Sequence, residues 1–293
     1  MNTFTGKLAL VTGGSSGIGL ALSKKLAQAG FNVGILSRDE AKLTAAAQEI
    51  RAAAPSAQIT TLKADVSKFE ETKQVVTTWM ESEGVPDLLV NSAGVSRPGE
   101  FVEQNVDLFH WMMDINYFGT VHMTKVVLPA MQKRGSGHIV MIGSVVSFLG
   151  LYGYTAYAPT KFAIKGFTDS LRTELLGSNI RLSIVFPPDT DTPSLASEKP
   201  FQPPVLVAMN ENSGTMSAEA VAASITKGIF RGRYIITPGS DSSLFFHLVG
   251  LLGGGLVYSI VDFLINDARR KVAHNQAKYT RFQVADPKQT SDK

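Results

Sequence analysis

The sequence predicts an α/β fold, a doubly wound parallel sheet with helices on both faces, and three observations predict it. Short apolar, β-rich runs alternate with longer segments of helical spacing along most of the chain. The first run opens directly into a glycine-rich turn that a helical pattern follows. The chain has 293 residues, 44% of them hydrophobic, enough for one sizeable core, and it shows neither an internal repeat nor a linker. Right-handed crossovers convert such an alternation into a parallel sheet covered on both sides.

The elements are expected in this order. Residues 8–11 read as a buried strand, 17–29 as a helix stopped by Gly30, and 33–36 as a second strand. Residues 39–53, rich in Ala, Lys, Glu and Gln, read as a helix that Pro55 ends, and 59–64 as a third strand. A helix over 68–82, a strand over 87–91, a long helix over 105–133 and a strand over 138–142 continue the pattern. A helix over 157–176, a strand over 181–186, a helix over 217–230 and a short strand over 234–237 complete it. The stretch 190–215 carries Pro193, Pro200, Pro203 and Pro204 and is expected to be a long loop or lid, within a substrate loop over 188–215. The division that follows is a dinucleotide-binding domain over 1–243, an apolar segment over 244–265 and a basic polar tail over 266–293.

Bulk properties narrow the function. The net charge is +3, and the basic residues form no long run with interleaved aromatics, which argues against nucleic-acid binding and suits an anionic membrane surface. Cysteine is absent, so disulfides, thiolate metal sites and cysteine nucleophiles are excluded. The five histidines show no ligand spacing, and no metal is expected. An apolar run starting at Leu8, right behind Gly6 and Lys7, leaves no room for a signal peptide.

Two groups of residues carry chemistry. In the turn Thr12-Gly13-Gly14-Ser15-Ser16-Gly17-Ile18-Gly19, glycines allow a tight bend and close approach of a pyrophosphate, while the following helix offers its N–H groups. Gly13, Ser15, Ser16, Gly17, Ile18 and Gly19 are therefore candidate cofactor residues in a Rossmann-type site. Where an NAD site places an acid at the end of the second strand, this chain has Ser37 and Arg38, with Lys42 a turn further on. A guanidinium forks onto a 2′-phosphate, so NADPH/NADP+ is the expected cofactor. Asp65 is either a contact to the adenine amino group or an N-cap or turn residue, with Val66 beside it in the cofactor set. Asn91, Ser92, Ala93 and Gly94 end the fourth strand, where small residues let the backbone pass the cofactor closely.

Tyr157 and Lys161, four apart, share one helical face. A neighbouring ammonium favours the phenolate, which would let Tyr157 exchange a proton near neutral pH. Ser144 follows the fifth strand and can hold a substrate oxygen, with Ser147 its nearby competitor. Asn116 lies mid-helix, where Asn is unfavourable; it is either functional or bonded to backbone.

These residues together resemble the short-chain dehydrogenase/reductase family over roughly residues 5–240. The glycine turn matches the family's cofactor motif, and Asn91-Ser92-Ala93-Gly94 its second motif, with Ser92 in place of the commoner Asn. Asn116, Ser144, Tyr157 and Lys161 match its catalytic tetrad. The resemblance implies that Tyr157 is the acid-base, Lys161 holds the nicotinamide ribose, Ser144 orients the carbonyl, and Asn116 organises a water-linked proton path. It implies that Thr192 binds the carboxamide, with Pro187 and Thr190 in the same cofactor loop, and that the chain forms a dimer or tetramer through the helices carrying Asn116 and Tyr157. Phe186-Pro187-Pro188-Asp189-Thr190-Asp191-Thr192-Pro193, with Pro188 where the wider family has Gly, is similar to the 3-ketodihydrosphingosine reductases. So are residues 36–43 and 150–157. This implies NADPH-dependent reduction of a hydrophobic ketone, the keto group of a long-chain sphingoid base. A general carbonyl, steroid or 3-oxoacyl reductase is the alternative, and a non-catalytic NADP(H)-sensing protein a more distant one.

Residues 244–265 are mostly apolar, with Gly253, Gly254 and Gly255 at the centre and Asp262 inside. The glycines argue against one stable helix, and Asp262 is costly in lipid. The segment is expected to be an interfacial hairpin or anchor, a lid or oligomer interface, or a membrane span. The basic tail that follows, with Arg269, Arg270, Lys271, Lys278 and Arg281, places the protein on the cytoplasmic side, peripheral to or anchored in a membrane, the endoplasmic reticulum in a eukaryote.

Overall fold

The structure, a computed structural model, describes Phe4 and residues 6–211 and 213–279; Arg281 and the rest of the expected tail beyond residue 279 lie outside the described residues. The first half comprises β1 (Leu8–Thr12), α1 (Gly17–Gln28), β2 (Asn32–Ser37), α2 (Glu40–Ala53), β3 (Ile59–Lys63) and α3 (Phe69–Glu83). The second comprises β4 (Leu88–Asn91), α4 (Val106–Met113), α5 (Gly119–Arg134), β5 (Gly137–Ile142), α6 (Ala158–Glu174) and β6 (Ile180–Val185). There follow β7 (Thr190–Asp191), α7 (Pro193–Glu198), α8 (Pro204–Asn210), β8 (Met216–Ser217), α9 (Ala218–Phe230), β9 (Ile235–Ile236), α10 (Ser240–His274) and α11 (Gln276–Tyr279).

Seven strands form one parallel sheet in the order β3-β2-β1-β4-β5-β6-β9, the Rossmann-type doubly wound arrangement expected. Its inner strands are apolar on both sides because helices cover both faces: every residue of β1 and β4 is buried. One core layer joins Val11, Leu22, Ile35 and Ile50 with Val221 and Ile225 of α9. The other joins Leu10, Leu89 and Met141 with Val127 of α5, Ile164 of α6 and Phe186. Chain order reverses between β1 and β4, whose last paired residues are Thr12 and Asn91. The crevice beyond the carboxyl ends of these two strands is where such sheets bind ligands.

Three expectations are corrected. The helix expected over 105–133 is interrupted by a π turn at Asp114–Phe118, where the Gly119 amide reaches back to the Asp114 carbonyl. The expected loop over 190–215 is largely helical: Pro193 and Pro204 each open a helix, α7 and α8, at the position where a missing N–H costs nothing. Residues 240–274 form one helix in spite of the three glycines. Packing outweighs propensity at both of its ends. Phe246 stacks on Phe186 with centroids 5.5 Å apart and meets Phe148 edge-on at 5.3 Å, while Ala268 and Val272 join Ala208 of α8 and Tyr279 of α11 in a small core. The boundary expected at residue 243 thus falls inside a helix whose first turns belong to the main core. Among the described residues no helix is long and apolar enough to cross a membrane, so the spanning alternative fails there.

The sheet also holds a buried imidazole. The Ser183 hydroxyl donates to the Arg233 carbonyl, which leaves its oxygen to accept from His138 Nε2–H at 2.8 Å. Burial, with Arg181 nearby, depresses His138 to about 4. Between pH 6.5 and 4 the unfolded chain therefore binds a proton that the folded one refuses, and stability falls as the pH falls through that window. Compared with a His138→Gln variant, in which all other titrations cancel, the wild type should lose about 2 kcal/mol between neutral pH and pH 5. Urea unfolding of the pair at the two pH values reads the difference, and parallel losses would refute it.

Candidate active site

The glycine turn is braced from two sides. Gly13 donates to the Leu36 carbonyl at 2.8 Å, and Thr12 Oγ1 accepts from the amides of Ser92 and Ala93, both at 3.0 Å, which locks the ends of β1 and β4 together. Gly13 has φ +65°, and a Cβ there would stand 3.0 Å from the Ala93 backbone; a Cβ on Gly19 would stand 2.3 Å from the Gly13 carbonyl. Neither position admits another residue without the turn opening. At the start of α1 the Ser16 side chain makes no capping bond and the first turn carries no acid, so its free N–H groups suit an anion such as a pyrophosphate.

A cavity of about 260 Å³ extends from this turn across the carboxyl ends of the strands. Gly13, Ser16, Gly17, Ile18, Gly19, Ala93, Gly94, Ser144, Tyr157, Lys161, Pro187, Thr190 and Thr192 all line it. Thr192 caps α7 by accepting from Leu195 N at 3.2 Å, and its methyl group packs against Gly17. Ser15, Arg38, Lys42, Asp65, Val66, Asn91 and Asn116 are not in its lining.

Those residues are placed as follows. The Arg38 guanidinium lies 3.7 Å from the Asp65 carboxylate, and Lys42 Nζ lies 3.6 Å from Asp39, which caps α2 through the Lys42 amide. Asp65 takes the turn arrangement, accepting from the Ser67 amide at 3.0 Å and the Ser67 hydroxyl at 2.7 Å, while Lys68 occupies the N-cap of α3. Val66 is buried against Gly119. The Asn91 side chain turns into the core, donating to Thr124 Oγ1 at 3.2 Å. Asn116, wholly buried in the π turn, clamps neighbouring segments: it bonds both the Val95 amide and carbonyl, at 2.8 and 2.9 Å, and donates to Thr160 Oγ1 of α6 at 3.0 Å. Two of these three bonds go to backbone.

Ser144, Tyr157 and Lys161 meet on one wall. Ser144 caps a short turn in which Ser147, fully buried, returns a bond to the Ser144 amide at 3.0 Å. Ser147 thus braces the turn, and Ser144 faces the cavity. Lys161 Nζ donates to the Ile142 carbonyl at 3.0 Å and lies 5.6 Å from the Tyr157 ring centre; burial lowers it to about 8. Tyr157 departs from expectation. Burial, then the Glu198 carboxylate, push its phenol above the ordinary value, and the Ser144 hydroxyl offsets only part of this. In the chain alone, Tyr157 holds its proton firmly.

Sequence reasoning missed Glu198, Tyr154, Leu206 and Met209 in the lining, and gave Asp189 no role there. The Tyr154 hydroxyl donates to Glu198 Oε2 at 3.2 Å, and its ring centre is 5.8 Å from that of Tyr157. Glu198 is 7% exposed, and burial raises it to about 7. No local pattern marks Glu198, Leu206 and Met209, which α7 and α8 bring in from the stretch read as loop; Tyr154 comes from the segment just before α6.

The family model for short chain dehydrogenases matches residues 7–203. A 3-dehydrosphinganine reductase of Danio rerio is 37% identical over 235 residues, 79% of this chain and 71% of the relative. A 3-ketodihydrosphingosine reductase of Mus musculus is 35% identical with the same coverage. An Arabidopsis thaliana 3-dehydrosphinganine reductase is 34% identical over 78% of this chain and 68% of its own. Among solved structures, levodione reductase superposes with a TM-score of 0.75 at 25% identity, covering 82% of this chain and 99% of that one. A short chain dehydrogenase/reductase from Burkholderia phymatum in complex with NAD also has a TM-score of 0.75 at 25% identity, covering 87% and 98%. With two thirds of its length matched by the family model and relatives of 34–37% identity over nearly four fifths of it, the chain is an oxidoreductase belonging to the short-chain dehydrogenase family.

Proposed function

We propose that the protein uses NADPH to reduce the keto group of a long-chain lipid, 3-ketodihydrosphingosine to dihydrosphingosine. The observation that carries this reading is the convergence of Ser144, Tyr157 and Lys161 with the glycine turn on one cavity, in a chain whose relatives bear that reductase name. The glycine turn and the start of α1 hold the pyrophosphate, and Arg38 and Lys42 bind the 2′-phosphate. Pro187, Thr190 and Thr192 border the nicotinamide. Bound there, the reduced nicotinamide supplies a hydride.

Ser144 donates to the substrate carbonyl oxygen and fixes it beside Tyr157. As negative charge develops on that oxygen, Tyr157 gives up its phenolic proton to it, so that hydride and proton together complete the alcohol. A phenol that binds its proton tightly at rest is in the right state for this direction. The ammonium of Lys161 then compensates the phenolate charge left behind. Asn116 works one layer out, tying the Val95 segment and α6 in place.

A hydrophobic substrate of this kind resides in a membrane. On α10, Leu251, Leu256, Ile260, Phe263 and Leu264 are exposed, and Arg269, Arg270 and Lys271 follow. Such a face suits interfacial contact with an anionic bilayer. The test is NADPH oxidation by the purified protein with vesicles carrying 3-ketodihydrosphingosine, beside steroid, 3-oxoacyl and small ketones, with sedimentation of the same vesicles. A preference for the sphingoid ketone and co-sedimentation are expected. Turnover of the other ketones without it would overturn the substrate assignment and leave a general carbonyl reductase.

A further inference from the structure

The cavity contains two acids that the reaction above does not use. Glu198 closes α7 and is more than nine-tenths buried; Asp189 precedes β7 and is also largely buried. Among the described residues no Lys, Arg or His comes within 4.0 Å of either carboxylate. The one basic side chain in the cavity lining, Lys161, is committed to the Ile142 carbonyl and the Tyr157 side. A buried carboxylate without a counter-ion opposes folding, and a glutamine would fill the space at lower cost. Glu198 is also badly placed for the proton transfer unless something covers its charge. It stands behind Tyr154, next to Tyr157, and raises the proton affinity of the phenol that must release a proton.

We infer that Glu198, supported by Asp189, is the seat of a substrate ammonium group, and that the site selects ketones carrying a free amine beside the carbonyl. The inference rests on the ketone-reducing reading of the cavity. The sphingoid ketone has such an amine, one carbon from the carbonyl, and an amine of α-amino type titrates at about 7.7–8.0 and is mostly cationic at neutral pH. With the carbonyl oxygen held by Ser144 and Tyr157, the amine falls within a few ångströms of them, the scale of the 5.8 Å that separates the Tyr157 and Tyr154 rings. An ammonium has three donors and no acceptor, which complements a paired set of carboxylate oxygens. By neutralising Glu198, it also relieves the charge that opposes phenolate formation. The amine should therefore raise kcat as well as lower KM. N-acylation removes the cation and leaves the chain and ketone intact.

The experiment compares 3-ketodihydrosphingosine with its N-acetyl derivative as substrates of the full-length wild type, Glu198→Gln and Asp189→Asn, with NADPH in detergent micelles. The wild type should favour the free amine by about tenfold or more in kcat/KM, and Glu198→Gln should lose most of that ratio, part of it in kcat. Asp189→Asn should lose a smaller share, and it serves as the second variant where Glu198→Gln melts early. An unchanged ratio in both variants, or no preference in the wild type, overturns the inference. Failure of the substrate reading looks different: the wild type then reduces neither sphingoid ketone but does reduce another. In that event dihydrosphingosine and its N-acetyl form are compared as inhibitors of the ketone that does turn over. Selective inhibition by the free amine supports the ammonium seat, and equal inhibition refutes it.

Discussion

Replacing Tyr157 with Phe should lower NADPH-dependent ketone reduction by about 10³-fold, within the range that loss of a positioned general acid produces. NADPH binding, followed by its fluorescence, should change little, because the phenyl ring still packs against Tyr154. The size of the effect follows from the scarcity of other donors. Ser144 is a far weaker acid and is engaged in its own turn. Lys161, lowered to about 8, could give a proton, but its Nζ is drawn to the Ile142 carbonyl behind the ring. Glu198, raised to about 7, can hold a proton near neutral pH, yet its Oε2 accepts from Tyr154, whose side chain intervenes. Activity above about a tenth of wild type in the variant would move the proton donor from Tyr157 to Glu198. Full biological activity without turnover would instead favour the cofactor-sensing alternative.

What could be foreseen from sequence follows the range of the interactions involved. Strand and helix periods act over a few residues, so β1, β4 and β6 and the outer ends of the helices between them fall within about two residues of expectation, while the π turn that divides the helix expected over 105–133 leaves no mark in them. The four-residue spacing of Tyr157 and Lys161 survives because it depends only on α6 being a helix. Long-range effects were hidden. Pro193 and Pro204 look like breakers until the chain before them is seen to turn, after which they are helix starts. Gly253, Gly254 and Gly255 look like an interruption until Phe246 and Ala268 are seen to anchor the two ends of α10. The proton affinity of Tyr157 could not be foreseen, because it is set by burial and by Glu198, 41 residues further along the chain. The same holds for Asn116, whose partners at Val95 and Thr160 come from two other segments.

Exchanging Arg38 for Asp should reverse cofactor preference, with the kcat/KM ratio of NADPH over NADH falling by about 10²-fold or more. Arg38 directly follows the end of β2, and among the described residues its ion pair is a loose one of 3.7 Å to Asp65. An exposed pair of that kind contributes little to stability, so the guanidinium can leave it for a phosphate, which offers two oxygens in the geometry a fork prefers. Asp65 is meanwhile held by Ser67 and remains in place. In the variant two carboxylates face each other where the 2′-phosphate would lie, and Lys42, half committed to Asp39, is left as the nearest cation. The phosphate is then repelled. The 2′-hydroxyl of NADH gains the acid that sites for that cofactor usually present. Steady-state kinetics with both cofactors at saturating ketone reads the outcome. Loss of NADPH use with NADH held or improved assigns the 2′-phosphate to Arg38, whereas equal weakening of both would mean that Arg38 only shapes the end of β2, and the cofactor assignment would fall with it.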